Sequence, residues 1–229
     1  MKKCGAIILA AGSGSRMKSD VPKQFLMLEG IPLFLHSVRC FAKVADEIVL
    51  VTGTASTDYC RHLLEKERLS VRVTVTEGGK ERYHSSMAGL ALAKDWEYVM
   101  IHDAARACIS ETVIRASLEA AEKYGSGVAA VAAKDTIKTA GPDGFVEQTL
   151  DRSRLRIIQT PQSFRKDWIA EAYRNMEARG DCTGITDDAM VLETFGGRRV
   201  YLSQGSYENI KVTTPEDLLF AAAILQNRR

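Results

Sequence analysis

Little separates the two signs of charge in this chain of 229 residues: 31 Lys and Arg stand against 29 Asp and Glu, a formal charge of +2. A balance that close leaves no broad basic face, so a nucleic-acid polymer is not an expected partner, and any cation that matters acts locally. Cysteine is sparse and scattered. Cys4, Cys40, Cys60, Cys108 and Cys182 are odd in number, far apart and without a CxxC pair, which argues against both a disulfide framework and a zinc knuckle. A reducing cytoplasm is the expected compartment. Long apolar runs are missing too: Ala6–Ala11 is far too short to span a bilayer and leads into a Gly-rich loop instead of a cleavage site, so no membrane partner is expected. With no internal repeat, low-complexity tract or linker, residues 1–229 read as one domain.

What is present is an alternation. Short β-branched runs at Cys4–Ala10, Glu47–Thr52, Val71–Thr76, Tyr98–His102, Gly127–Ala132 and Arg198–Leu202 are separated by segments with helical spacing, the mark of an α/β fold with a mainly parallel sheet flanked by helices. The helical segments fall near Ile31–Ala42, Thr57–Arg68, Glu81–Lys94 and Glu111–Tyr124. In the last, Ile114, Leu118 and Ala121 form a stripe for the sheet while Glu119, Glu122 and Lys123 face water. Thr214-Pro215-Glu216-Asp217 predicts a further helix start, with a hydroxyl cap, proline at the first position and acids in the first turn. One segment departs from the alternation. Asp135–Ile158 carries Gly141-Pro142-Asp143-Gly144 between two polar arms, the signature of a projecting β-hairpin, which needs another subunit or the body of the domain to pack against.

The strongest chemical signal is Ala10-Ala11-Gly12-Ser13-Gly14-Ser15-Arg16-Met17, with Lys23 following in Pro22-Lys23-Gln24. Small residues after a buried strand let successive backbone N–H groups approach and cradle phosphate oxygens. Two nucleotide loops are excluded: Gly79-Lys80 is followed by Glu81 where a P-loop needs Ser or Thr, and Met17 occupies the place of the third glycine of a dinucleotide fingerprint. A glycine loop with one Arg and one Lys suits phosphoryl transfer, where charge spreads over nonbridging and leaving oxygens.

Ala10–Met17 with Pro22-Lys23-Gln24-Phe25 resembles the opening of the 2-C-methyl-D-erythritol 4-phosphate cytidylyltransferases of the nonmevalonate isoprenoid pathway. The resemblance runs on through Glu77-Gly78-Gly79, His102-Asp103-Ala104-Ala105-Arg106, Asp135-Thr136-Ile137-Lys138, Gln159-Thr160-Pro161-Gln162, Ile185-Thr186-Asp187-Asp188 and Asn209–Asp217, nearly the whole chain. It implies a Rossmann-like fold of the nucleotide-diphospho-sugar transferase type, CTP and a polyol phosphate as substrates, and a homodimer joined through the 135–158 arm. It also implies Mg²⁺ held mainly by the CTP phosphates, with no protein metal ligands.

The same resemblance assigns roles. Arg16, Lys23, Arg152 and Lys211 are the implied catalytic cations, the first two on the triphosphate and the last two on the incoming phosphate. Ala10, Ala11, Gly12, Ser13, Gly14, Gly79, Ser85 and Asp103 join Arg16 and Lys23 in binding the nucleotide. Asp103, Ala104, Arg106, Thr136, Arg152, Thr160, Thr186 and Lys211 line the polyol site. By residue type alone, Asp103 is either a turn cap or a ligand at a strand's carboxyl end, Lys211 and Arg152 are solvated cations, and His102 is a packing or hydrogen-bonding group sooner than a base. Ala107 replaces a usual proline, Lys80 stands where an acid often follows the glycine pair, and Leu155-Arg156 replaces an aromatic residue. Two rival readings stand beside this one. A ribitol 5-phosphate cytidylyltransferase is disfavoured by Ala11 and Ala105, where such chains carry glycine and often valine; a non-catalytic nucleotide sensor is disfavoured by Arg16, Lys23, Asp103, Arg152 and Lys211 occurring together.

Overall fold

The computed structural model describes residues 3–12, 17, 21–180 and 182–228. A seven-stranded sheet forms its centre, in the order β11-β7-β10-β6-β1-β4-β5. These strands are β1 (Cys4–Ala10), β4 (Glu47–Thr52), β5 (Arg72–Glu77), β6 (Tyr98–Asp103), β7 (Ser126–Ala132), β10 (Arg156–Arg165) and β11 (Leu202–Gln204). Two short pairs stand apart from it: β2 (Met27–Leu28) with β3 (Ile31–Pro32), and β8 (Lys138–Ala140) with β9 (Val146–Thr149). Strands β1, β4, β5 and β6 run parallel, while β10 is antiparallel to both β6 and β7. The carboxyl ends of β1, β5 and β6 therefore meet along one edge of the sheet.

Strand β1 is apolar on both faces because both are covered. Ala6, Ile8 and Ala10 face α1 (Leu33–Phe41) through Phe34, Val38 and Phe41. Ile7 faces the opposite layer, which includes Leu90 of α3 (Arg82–Leu92) together with Ile169 and Met176 of α5 (Lys166–Arg179). Helix α2 (Thr57–Glu65) lies against β5, and α4 (Glu111–Tyr124) against β7 and β10. The stripe Ile114, Leu118 and Ala121 of α4 packs into the core, and Gly125 closes the helix in the left-handed conformation at φ 84°. Helix α7 (Pro215–Gln226) has the expected start: the Thr214 hydroxyl accepts from Asp217 N while the Asp217 side chain accepts from Thr214 N.

The predicted hairpin is present as β8 and β9 around residues 141–145. The predicted strand at Arg198–Leu202 is displaced, because only Leu202–Gln204 joins the ladder; Tyr201 N instead donates to the Ser126 hydroxyl at 3.0 Å, and Arg198 stacks over Trp168 at 4.1 Å. Besides the short pair β2 and β3, three elements were not expected: β10, α5 and α6 (Asp188–Gly196). Pro161 and the polar run Gln159–Ser163 argue against a central strand. The fold accommodates them with a bulge, in which the β10 register against β7 jumps from Ile158↔Ala130 to Gln162↔Val128. The buried polar groups there are paired: Ser163 Oγ lies 2.6 Å from Ser117 Oγ, and the Gln162 amide donates to Asp187 at 2.8 Å.

Candidate active site

Two chambers open at the carboxyl edge of the sheet. The larger, about 400 Å³, has Ala10, Ala11 and Gly12 at the end of β1 as its floor, Gly79–Arg82 and Ser85 as one wall, and Asp103–Ala105 with Lys211 as the other. The smaller, about 280 Å³, lies over the β10 bulge and is lined by Arg106, Gln159, Thr160, Gln162, Thr186 and Asp187. Arg82, Asp103 and Lys211 line both, so these three side chains form the partition between them. The sequence makes the larger chamber by close approach. A Cβ on Gly78 would stand 2.5 Å from Ser85 Oγ and 2.7 Å from the Ala11 Cβ, so glycine is what lets the turn after β5 close against the turn after β1.

Charge at the partition is concentrated and paired. Asp103 is 8% exposed; its Oδ2 accepts from Lys211 Nζ at 2.7 Å and its Oδ1 from Arg82 Nε at 3.1 Å. Arg82 Nη1 also stands 2.7 Å from Asp188 Oδ2, and Asp188 is fully buried with Tyr173 Oη on its other oxygen. Burial alone would push the Asp103 carboxyl up; Arg82 and Lys211 overcome it and hold the group well below the usual carboxylate range. For Arg82 burial opposes the charge, and Asp188 and Asp103 outweigh it and raise the pKa. Across the partition Lys23, in a short 3-10 turn at Lys23–Phe25, donates to Val212 O at 3.2 Å, beside Lys211. That segment is itself tied to the turn after β6, since Val212 N donates to Ala105 O at 2.8 Å.

A buried relay supports the smaller chamber. Asp103 N donates to the Thr160 hydroxyl at 3.0 Å; that hydroxyl lies 3.0 Å from His102 Nδ1, and His102 Nε2 lies 3.3 Å from Ser37 Oγ. Because Thr160 Oγ1 already accepts from Asp103, its own hydrogen is free for Nδ1, which leaves the ring proton on Nε2 to reach Ser37. His102 is fully buried and its pKa is pushed down to about 3, by burial first. It is a neutral hydrogen-bonding group. The Thr160–Pro161 peptide is cis, and Asn209 Nδ2 donates to Thr160 O at 2.8 Å.

Most residues expected at the site are thus brought together. Ala10, Ala11, Gly12, Lys23, Gly79, Ser85, Ala104 and Lys211 line the larger chamber, Arg106, Thr160 and Thr186 the smaller, and Asp103 both. Ser13, Gly14 and Arg16 lie outside the described residues. Thr136 and Arg152 do not line either chamber; both are exposed at the base of the arm, and Arg152 Nη1 donates to Lys134 O at 2.8 Å. Ala107 is buried against a cluster that includes Cys108 and Val212, behind the chamber wall, while Lys80 is exposed at its rim. Leu155 closes the short turn Arg152–Arg154, and Arg156 opens β10. Sequence reading passed over Arg82 and Asp188. The signal for Asp188 was the pair Asp187-Asp188: Asp187 caps α6 through Met190 N at 2.8 Å, which leaves the second acid to point inward.

The sequence model of the IspD family, 2-C-methyl-D-erythritol 4-phosphate cytidylyltransferase, matches residues 4–227. The chain belongs to this family. A cytidylyltransferase of that name from Lachnospira eligens is 42% identical over 223 residues, covering 96% of this chain and 98% of its own length. Another from Pelotomaculum thermopropionicum is 44% identical over 234 residues, covering 100% and 97%. Among solved structures, the 4-diphosphocytidyl-2C-methyl-D-erythritol synthase of Anaerococcus prevotii DSM 20548 superposes with a TM-score of 0.84 at 33% identity, covering 98% of this chain and 99% of that one. The family membership and the two-chamber site agree in kind: a cytidylyltransferase needs a place for a nucleotide and a place for a second phosphate ester, side by side.

Proposed function

We propose that this chain transfers a cytidylyl group from CTP to 2-C-methyl-D-erythritol 4-phosphate, giving 4-diphosphocytidyl-2-C-methyl-D-erythritol and pyrophosphate. The observation that carries the reading is the pair of chambers meeting at Asp103 and Lys211, in a member of this family. CTP occupies the larger chamber, with the backbone of Ala10, Ala11 and Gly79 and the Ser85 hydroxyl reading the cytosine edge. Gly12 and Lys23 and, by the family resemblance, Ser13, Gly14 and Arg16 are assigned to its triphosphate. The polyol lies in the smaller chamber against Asp103, Arg106, Thr160 and Thr186, where an acid and several hydroxyls suit a polyol, and Ala104, on the wall of the larger chamber, meets it at the boundary.

A phosphate oxygen of the polyol ester attacks the α-phosphorus; the new P–O bond forms as the bond to the bridging oxygen breaks, and the electron pair leaves with pyrophosphate. The nucleophile is ionised at neutral pH, so the chain's own tasks are alignment and charge neutralisation. Lys23 and Arg16 neutralise the triphosphate, and Lys211 with Arg152 holds the attacking phosphate. Mg²⁺ is assigned to the nucleotide by the family resemblance, and Asp103, the acid lining both chambers, is already engaged by two cations. The ion would be held by phosphate oxygens and water and would supply charge neutralisation there.

The same proposal includes a cytoplasmic homodimer, consistent with free, scattered cysteines. The arm carries exposed Phe145 and Val146, and an isolated two-stranded ribbon gains stability by packing on a second copy. In that arrangement Thr136 and Arg152 would serve the partner's site. Turnover of methylerythritol phosphate against ribitol 5-phosphate with CTP tests the reading. Faster use of the methylerythritol ester is expected; faster use of ribitol 5-phosphate would overturn the substrate, and absence of pyrophosphate release with both would indicate a nucleotide sensor.

A further inference from the structure

Arg82 is a residue of the partition to which neither the motif reading nor the proposed chemistry gives a role. Its guanidinium divides between two acids on different elements: Nε to Asp103 Oδ1 at 3.1 Å at the end of β6, and Nη1 to Asp188 Oδ2 at 2.7 Å at the start of α6. Asp188 is fully buried, is held by Tyr173 of α5, and lies outside both chambers, whose lining includes Arg82, Asp103 and Lys211. It therefore serves as an anchor. A planar, forked guanidinium can hold two carboxylates at a fixed separation, which a lysine ammonium on a flexible stem does not. Asp103 in turn receives Lys211 on its second oxygen at 2.7 Å, so the side chains form one line: Tyr173, Asp188, Arg82, Asp103, Lys211.

We propose that Arg82 is a positioning residue: anchored by Asp188, it fixes the Asp103 carboxylate so that Lys211 is presented at the boundary of the two chambers, where the incoming phosphate meets the nucleotide. The role of Lys211 in this statement rests on the cytidylyltransferase reading, but the clamp itself does not. Arg82 acts through Asp103. Its Nη2 and Asp188 Oδ2 are buried and make no hydrogen bond, so the 2.7 Å contact of Arg82 Nη1 with Asp188 is an ion pair, while that of Nε with Asp103 is a hydrogen bond.

Arg82→Lys and Tyr173→Phe test this, the second loosening the anchor without touching the chambers. Arg82→Lys should lower kcat by on the order of 10–10²-fold and raise KM for the polyol phosphate, as misplaced groups do. The dissociation constant for CTP, by titration, should move by less than about threefold. Tyr173→Phe should move the same two constants in the same direction by a smaller factor. An equal loss of CTP affinity and kcat in Arg82→Lys would overturn the proposal by making Arg82 a direct nucleotide ligand, as would unchanged kinetics in both variants. The activity-free measurement is the ¹³C resonance of the Asp103 carboxyl, assigned with Asp103→Asn and followed into the acid range. Three cations face this group, Arg82, Lys211 and Arg106, with neutral His102 beside it. Its titration should move upward in Arg82→Gln. No movement would overturn the clamp even if the wild-type protein proved inactive on both polyol phosphates, an outcome that would reject the substrate reading separately.

Discussion

Lys211 Nζ stands 2.7 Å from Asp103 Oδ2, a contact between residues 108 apart in sequence that joins the end of β6 to the segment leading into α7. The pair places one cation and one buried anion at the single line where both chambers meet. Removing either charge should therefore disturb both chambers.

Asp103→Asn gives this a pH signature. The folded-state pKa of Asp103 is depressed, so its contribution to stability is complete above the unfolded value of about 3.9 and is lost as pH falls below it. Urea unfolding of the variant should show a loss of about 1.5–3 kcal/mol at neutral pH, the order expected for charged hydrogen bonds. The difference from wild type should shrink in acid, below about pH 4. A constant difference across that range would remove the ion pair from the account.

His102 titrates with the opposite charge change but in the same direction of stability. Buried and neutral, with its pKa pushed down to about 3, it binds its proton in the unfolded chain first. Stability therefore falls as pH drops below the unfolded value of about 6.5, by roughly 1.4 kcal/mol per pH unit. His102→Gln, which can keep one acceptor for Thr160 and one donor for Ser37, should flatten that slope while retaining most of the activity at neutral pH. A slope equal to wild type would show that His102 is not the group titrating.

Much of this arrangement was legible beforehand, and for physical reasons. Strands β1, β4 and β6 are continuous apolar runs because both faces are covered, α4 shows its stripe Ile114, Leu118 and Ala121, and α7 begins on the hydroxyl cap Thr214. Ala10–Gly12 and Asp103 stood out since they lie at the ends of strands, and Gly79 through the family resemblance. Strand β10 did not, because its polar residues and Pro161 are satisfied by partners distant in sequence, such as Ser117, Asp187 and Asn209. Arg82 was hidden for the same reason: a charged residue in a first helical turn reads as solvated until Asp188 and Asp103 are seen on either side of it. Helix α5 carried a readable stripe, Ile169, Ala172, Tyr173 and Met176, all buried.

Lys23→Ala should lower kcat by on the order of 10²–10³-fold, the usual effect of deleting one donor to a charge that develops in the transition state. CTP affinity should suffer less. Steady-state kinetics with a parallel CTP titration check this, and a loss confined to CTP affinity would reassign Lys23 to ground-state binding.

Mixing subunits tests the arm. If Arg152 serves the partner's site, a heterodimer of Arg152→Ala and Lys23→Ala chains contains one intact site, and an equal mixture allowed to exchange should recover about a quarter of wild-type activity. Each variant alone should remain nearly inactive. No recovery after exchange would mean that each site takes both Lys23 and Arg152 from a single chain.

The most direct measurement follows the α-phosphorus itself. In a single turnover with CTP labelled at the α-phosphate, the label should pass wholly into the diphosphocytidyl product, while label at the γ-phosphate should appear only in pyrophosphate. Label from the α-position found on the protein, or left in CMP with no polyol product, would contradict direct transfer between the two chambers.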